Sequence, residues 1–154
     1  MSKNLRSRRN LRKRRSRKAL RSGVYAFDTQ NHHGQYAALR VLNDQVLRFR
    51  SPTDYYEDVS YQQSIEIHRR AVEGVAPANA NWANSVGCLL VGHAGTGYDD
   101  DYAGFARAVG IIGPGDNGNT RYRTQVHGTL IVDRSFAGDY LLSVGYSEDA
   151  VTAL

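Results

Sequence analysis

The 154-residue chain reads as an all-β protein, an antiparallel sandwich or barrel of about eight strands behind a basic N-terminal arm. Three observations predict this. Glycine and tyrosine are abundant, at fifteen and ten residues, and helix-favouring runs are scarce, a composition that leans to strands and turns. Apolar and polar residues alternate with period two in several stretches, which places one set on each face of a strand. Between those stretches stand Gly, Pro, Asn and Asp clusters that favour turns. The ~130 residues beyond the arm suffice for one domain with a sizeable core.

Charge sets the arm apart. Residues 1–22 hold eleven basic side chains, Lys3, Arg6, Arg8, Arg9, Arg12, Lys13, Arg14, Arg15, Arg17, Lys18 and Arg21, and no acidic one. The remaining nine of the twenty Lys and Arg and all fifteen acids lie beyond, so the formal +5 is a +11 arm on a −6 body. Besides Met1, only Leu5, Leu11 and Leu20 are large and apolar there, too little to offset the entropy of ordering the segment. The arm is expected to be disordered when free, with Gly23 as the hinge into a body spanning 23–154. A polyanion is its natural partner. Each phosphate contact would release roughly 0.7–0.9 counterions, so binding would be strong at low salt, steeply salt-dependent and almost blind to sequence. Arginine outnumbers lysine eight to three in the arm, which suits phosphate forks and base stacking.

No apolar run reaches the ~18–20 residues that a membrane span needs. No hydrophobic segment follows the basic block, as a secretory signal requires. A mitochondrial presequence is also Arg-rich and acid-poor, but it spaces its arginines around an amphipathic helix, whereas Arg8-Arg9 and Arg12-Lys13-Arg14-Arg15 come in blocks. Cytosol or nucleus is the expected compartment. The single cysteine, Cys88, rules out an intrachain disulfide, and its apolar neighbours suggest a core thiol.

From Gly23 the elements follow in order. Tyr25 and Phe27 alternate with Val24, Ala26 and Asp28 in a short strand, and Gln30-Asn31-His32-His33-Gly34 is a polar turn. A second strand covers Tyr36–Leu42, closed by a tight turn at Asn43-Asp44. A third, residues 45–50, sets Leu47 and Phe49 against Arg48 and Arg50, and Ser51-Pro52-Thr53-Asp54 ends it. Residues 59–69 alternate Tyr61, Gln63, Ile65 and Ile67 with Ser60, Gln62, Ser64, Glu66 and His68. Residues 74–85 are a loop of small residues around Trp82. Residues 87–93 are nearly all apolar, as in a strand buried on both sides. A loop through Gly95-Thr96-Gly97 and Asp99-Asp100-Asp101 leads to a strand at 102–112, and residues 113–119 (GPGDNGN) are a turn. The clearest alternation, residues 121–133, sets Tyr122, Thr124, Val126, Leu130 and Val132 against Arg121, Arg123, Gln125 and His127. A turn at 134–139, a last strand at 140–146 and a loosely packed tail complete the chain.

Few residues suggest chemistry. Gly113-Pro114-Gly115-Asp116-Asn117-Gly118 matches a dinucleotide loop in letters, but a strand and not a helix is expected after it, and Pro114 removes an amide donor. None of the five histidines forms a helical i, i+4 pair, and no nucleophile elbow is present, so nothing points to an enzyme and no cofactor is required. Asp99, Asp100 and Asp101 are a solvated acidic turn or, with further ligands from elsewhere, part of a site for a hard cation such as Ca²⁺. Arg121 and Arg123 on one strand face, with His127 and with Arg48 and Arg50 on another strand, are a polar outer face or a secondary nucleic-acid-binding surface.

A basic arm, a glycine hinge and a body of about eight strands resemble the coat proteins of small icosahedral viruses. The resemblance covers the whole chain as a layout and is carried by no diagnostic motif. It implies an eight-stranded antiparallel jelly-roll sandwich and, at this length, the size of satellite-virus coats, which assemble as sixty-subunit shells. The arm would then lie inside, neutralising a packaged single-stranded genome, with RNA favoured over DNA. Sixty such arms carry roughly 660 positive charges, enough to balance several hundred nucleotides. The resemblance also implies a virion location after assembly in the host cytoplasm or nucleus, no membrane, and Ca²⁺ at subunit interfaces, for which Asp99, Asp100 and Asp101 are the candidates. Tyrosine-rich composition suits such interfaces. The alternative is a non-viral nucleic-acid-binding protein, ribosomal or chaperone-like, with a basic tail on an all-β domain.

Overall fold

Two residues with positive φ, His33 at 47° and Gly34 at 72°, reverse the chain in a tight turn closed by the Gln35 N–H donating to the His32 carbonyl at 2.8 Å. In this computed structural model, which describes residues 17–58, 65–69, 88–91 and 98–154, that turn joins the two central strands of a five-stranded sheet. Its order is β7 (Leu89–Val91), β6 (Glu66–Arg69), β3 (Tyr36–Leu42), β2 (Gly23–His32) and β8 (His127–Val132). A second sheet holds β1 (Arg17–Leu20), β4 (Val46–Ser51) and β5 (Asp54–Asp58), with β4 in the middle. Three helices, α1 (Tyr98–Val109), α2 (Gly138–Ser143) and α3 (Glu148–Ala153), complete a mainly β chain. The expectations for the basic residues Lys3 to Arg15, for residues 59–64, for the loop around Trp82 and for Gly95-Thr96-Gly97 lie outside the described residues.

Two apolar cores hold these layers. The larger joins Tyr25 of β2, Ala37, Leu39 and Val41 of β3, and Ile65 and Ile67 to Tyr102 and Ala106 of α1 and to Ile111 and Ile112 beyond it. Leu20 of β1 and Val46 of β4, paired in register, enter the same core. The smaller core lies on the other face of the three-stranded sheet, where Leu47 and Phe49 meet Ala150 and Leu154, with Leu141 and Tyr146 packed against them. The alternation expected in β4 is therefore real. The chain does not fold back after β3, however: at Asn43, φ 53°, it passes from one sheet to the other.

Several expectations are corrected. The body begins before Gly23, because Arg17–Leu20 pair with Phe49 through Val46 and Leu20 is 0% exposed. Gly23 is the first residue of β2 and not a hinge; a Cβ there would come within 3.2 Å of the Tyr25 hydroxyl. The sheets are not wholly antiparallel, since β6 and β7 run parallel. Cys88, just before β7, is half-buried and not a core thiol.

The strand expected at 102–112, with Asp99-Asp100-Asp101 as a loop before it, is α1. Tyr102, Phe105, Ala106 and Val109 recur at helical spacing, and all four pack on the main core. Gly110, φ 88°, ends the helix. Its N–H donates to the Arg107 carbonyl and the Ile111 N–H to the Ala106 carbonyl, both at 3.0 Å, a Schellman stop. Acids at the start, Arg107 in the last turn and a glycine after it are the helix signals that period-two reading passes over.

The long alternation at 121–133 yields a strand only from His127. Before it, side chains of β2 replace the ladder. The Thr29 hydroxyl accepts from the Val126 N–H at 2.8 Å and donates to the Val126 carbonyl at 2.9 Å, and Asn31 Oδ1 accepts from the Tyr122 N–H. The last expected strand, 140–146, is largely α2, and the tail is α3, N-capped by Ser147, whose hydroxyl accepts from the Ala150 N–H at 3.2 Å.

Because Leu20 lies inside the main core, β1 belongs to the folding unit. A chain beginning at Arg17 is expected to match the full chain in denaturant unfolding, while Leu20→Ala loses about 2–5 kcal/mol and a chain beginning at Gly23 loses more. Equal midpoints for all four proteins would show that β1 contributes nothing to stability.

Candidate functional site

The basic residues are placed very differently from one another. Of the arm, Arg17, Lys18 and Arg21 fall within the described residues. Lys18 stands on β1 opposite Arg48. Arg21 is tied into the body: its guanidinium donates to Glu57 Oε1 at 2.6 Å and to the Ala153 carbonyl at 3.0 Å.

Arg121 and Arg123 lie in the irregular segment after the 113–119 turn, which is built on Asp116. The Asp116 carboxylate accepts from the Gly113 N–H at 2.7 Å and from the Arg123 guanidinium, Nη2 to Oδ1 at 2.7 Å. The Arg123 hydrogen bond and then the Gly113 amide hold the Asp116 carboxyl below the usual carboxylate range. Arg123 is thus neutralised by a neighbour seven residues away, whereas Arg121 is exposed and makes no ion pair among the described residues. Arg48 and Arg50 do not extend this surface. They sit in the other sheet, where Arg48 pairs with Asp58 and Arg50 approaches Asp54 at 3.8 Å and lies over the Tyr56 ring. The backbone of Asp99-Asp100-Asp101 forms the first turn of α1. Three consecutive helical positions are spread around the axis at 3.6 residues per turn, so they offer at most part of one cation's ligand set.

A second constellation escaped the sequence reading. Glu66 and His68 alternate onto the same face of β6, and His32 ends β2 two strands away, with β3 between them. Ala38 of β3, opposite Gln30 in register, is fully buried on this face, and its small side chain lets the longer ones meet over it. There the Glu66 carboxylate accepts from Gln30 Nε2 and contacts His32 Nδ1. The His32 and His68 rings stack at 4.2 Å with 19° between planes, and exposed His33 meets His32 edge-on at 4.2 Å. His68 Nδ1 lies 2.7 Å from the Arg69 carbonyl and 3.3 Å from the Tyr36 hydroxyl. Glu66 and His68 are buried. Burial, reinforced by His32, lowers the His68 pKa, and burial pushes the Tyr36 hydroxyl up to about 12 against the Arg69 guanidinium stacked 4.2 Å from its ring. The Glu66/His68 alternation was visible in the sequence; the approach of His32 depends on strand register.

Compared with known proteins, the chain matches no protein-family profile, no curated protein and no solved structure. Among the described residues no helix is long and apolar enough to cross a membrane.

Thr29 fixes the segment that carries Arg121 and Arg123, since its hydroxyl makes both bonds to Val126. Thr29→Val is expected to cost about 1–3 kcal/mol by leaving that amide unpaired. In hydrogen exchange the Val126 amide should lose its protection while the amides of the β2–β3 ladder keep theirs.

Proposed function

We propose that this chain is a coat protein that self-assembles into a small closed shell, its arginine-rich arm gathering a single-stranded nucleic acid, RNA in preference to DNA. The observation that carries this reading is the pairing of that +11 segment with a body that leaves large apolar side chains uncovered. Val24 and Ile131, partners across β2 and β8, are 71% and 73% exposed, and Phe136 is 94% exposed. Tyr140, Leu142 and Val144 on and after α2 are exposed as well. Apolar surface of this kind marks contact with other chains in a soluble protein, and burial between subunits would remove it from water. Copies of this chain are the natural cover, sixty to a shell in the layout it resembles.

The jelly roll is the finer form of the same reading. Two mainly antiparallel sheets, with β8 returning from far along the chain to lie beside β2, fit a Greek-key wind, although here the sheets have three and five strands. The arm is the main contact to nucleic acid, from Lys3, Arg6, Arg8, Arg9, Arg12, Lys13, Arg14, Arg15, Arg17 and Lys18, with Arg121 adding one cation from the body and Arg21 and Arg123 already partly engaged. The virion is the location that goes with this role. An interfacial Ca²⁺ at Asp99, Asp100 and Asp101 belongs to it too, and shells unaffected by a chelator at neutral pH would remove that ion from the reading.

Expressed protein is expected to sediment with RNA as a large particle and to show closed spheres in electron micrographs. A protein that binds RNA yet stays a monomer or dimer is a nucleic-acid-binding module instead. Deleting residues 1–16 removes eight of the eleven arm cations and leaves β1 intact. The slope of log affinity for single-stranded RNA against log salt should then fall by about 6; an unchanged slope would place binding outside the arm.

A further inference from the structure

We propose that His32, Glu66 and His68 form a binding site for a divalent transition-metal ion of the zinc class. One ligand atom from each residue lies within 4.8 Å of the other two. Ligands around a tetrahedral ion at metal distances of ~2.1 Å stand ~3.4 Å apart, so side-chain adjustments of about an ångström complete the set. Two imidazoles and one carboxylate are a donor set that zinc and its first-row neighbours take, whereas Ca²⁺ and Mg²⁺ favour oxygen ligands alone.

The surroundings are those of a held ligand set. The 2.7 Å contact with the Arg69 carbonyl makes His68 Nδ1 the protonated nitrogen and leaves Nε2 with the lone pair. Gln30 orients the Glu66 carboxylate from the neighbouring strand. His32 Nδ1 contacts the Glu66 carboxylate directly, so a metal ion held by both would take the place of that contact. Three protein ligands leave a fourth position open for water or for exposed His33, whose ring lies against His32. Because the ligands come from β2 and β6 with β3 between them, the ion would brace the three middle strands of the five-stranded sheet. The site stands independently of the chain's role with nucleic acid.

Full-length protein, nuclease-treated and stripped with a chelator, is titrated with Co²⁺ and with Zn²⁺. Expected are one Co²⁺ per chain, with the visible absorption of a four- or five-coordinate ion, its displacement by Zn²⁺, and a thermal midpoint that rises with Zn²⁺ and saturates at one equivalent. His32→Gln and His68→Gln should each weaken Co²⁺ binding at least about tenfold, and His127→Gln, on the exposed end of β8, should leave it unchanged. Absence of stoichiometric binding by the full-length protein, or Co²⁺ affinity in both ligand variants equal to that of the unaltered protein, overturns the site and leaves a hydrogen-bonded polar cluster. Should the variants fail to fold, the unaltered protein still decides: ring nitrogen shifts at His32 and His68 on adding Zn²⁺ support the proposal, and unmoved shifts there overturn it.

Discussion

The pairing of β1 with β4 is the constraint on which the rest of the molecule depends. It places a short strand between two apolar cores. Leu20 and Val46 point into the core under the five-stranded sheet, while Leu47, on the other face with Ala19 packed nearby, enters the core closed by α2 and α3. The C-terminal residue joins this junction, since the Ser22 N–H donates to the Leu154 carbonyl and Leu154 is buried in the second core. Arg134, half-buried, donates to the Leu20 carbonyl at 2.6 Å. The root of the basic segment is therefore held by β4 on one side and by Arg134 and Leu154 on the other. A polyelectrolyte pulling on residues before Arg17 would load a strand held by two cores, not a loose tether.

How much of this the sequence discloses depends on whether a segment's partners lie beside it. Tyr36–Leu42 was legible as an apolar run closed by turn residues, and it is buried on both faces; the faces of β4 were legible because alternation reports which side of a strand is buried. Alternation misled where helical spacing imitates it. In residues 98–110 small residues fill the gaps between Tyr102, Phe105, Ala106 and Val109, so neither period dominates by eye, and the end signals at Asp101, Arg107 and Gly110 had to decide. At 121–126 the pattern of a strand is present without its ladder, because Thr29 and Asn31 supply side-chain bonds where a neighbouring backbone would otherwise stand. No rule of periodicity registers that substitution. The six-residue shift of the body's start, from Gly23 to Arg17, has the same origin: Arg17–Leu20 carry charge enough to look disordered, and only the distant Val46–Phe49 strand shows why they are not.

The histidine cluster was legible in half. Glu66 and His68 on one strand face follow from period two, but a polar pair on an outer face is ordinary. What makes it unusual is the third member, delivered by a hairpin turn, and the single small residue, Ala38, over which the three side chains converge. Register decides such meetings, since a one-residue slip of β2 on β3 would send His32 to the opposite face. Register in turn is held by the Arg40–Asp28 ion pair across the same two strands and by the buried Thr29, Leu39 and Val41 beneath it.

Electrostatics completes the division of labour. Among the described residues, Arg21, Arg40, Arg48, Arg50 and Arg123 each face a carboxylate, and Arg107 and Arg134 donate to backbone carbonyls. Exposed pairs of this kind add little stability, so their main consequence is cancellation. The body's positive charge is mostly spent on its own acids at short range, and what remains of its field is negative. Before β1, residues 1–16 hold eight cations and no acid in sequence. Within a Debye length, about 8 Å at physiological salt, a polyanion would therefore be attracted to that cationic segment more than to the body's paired arginines.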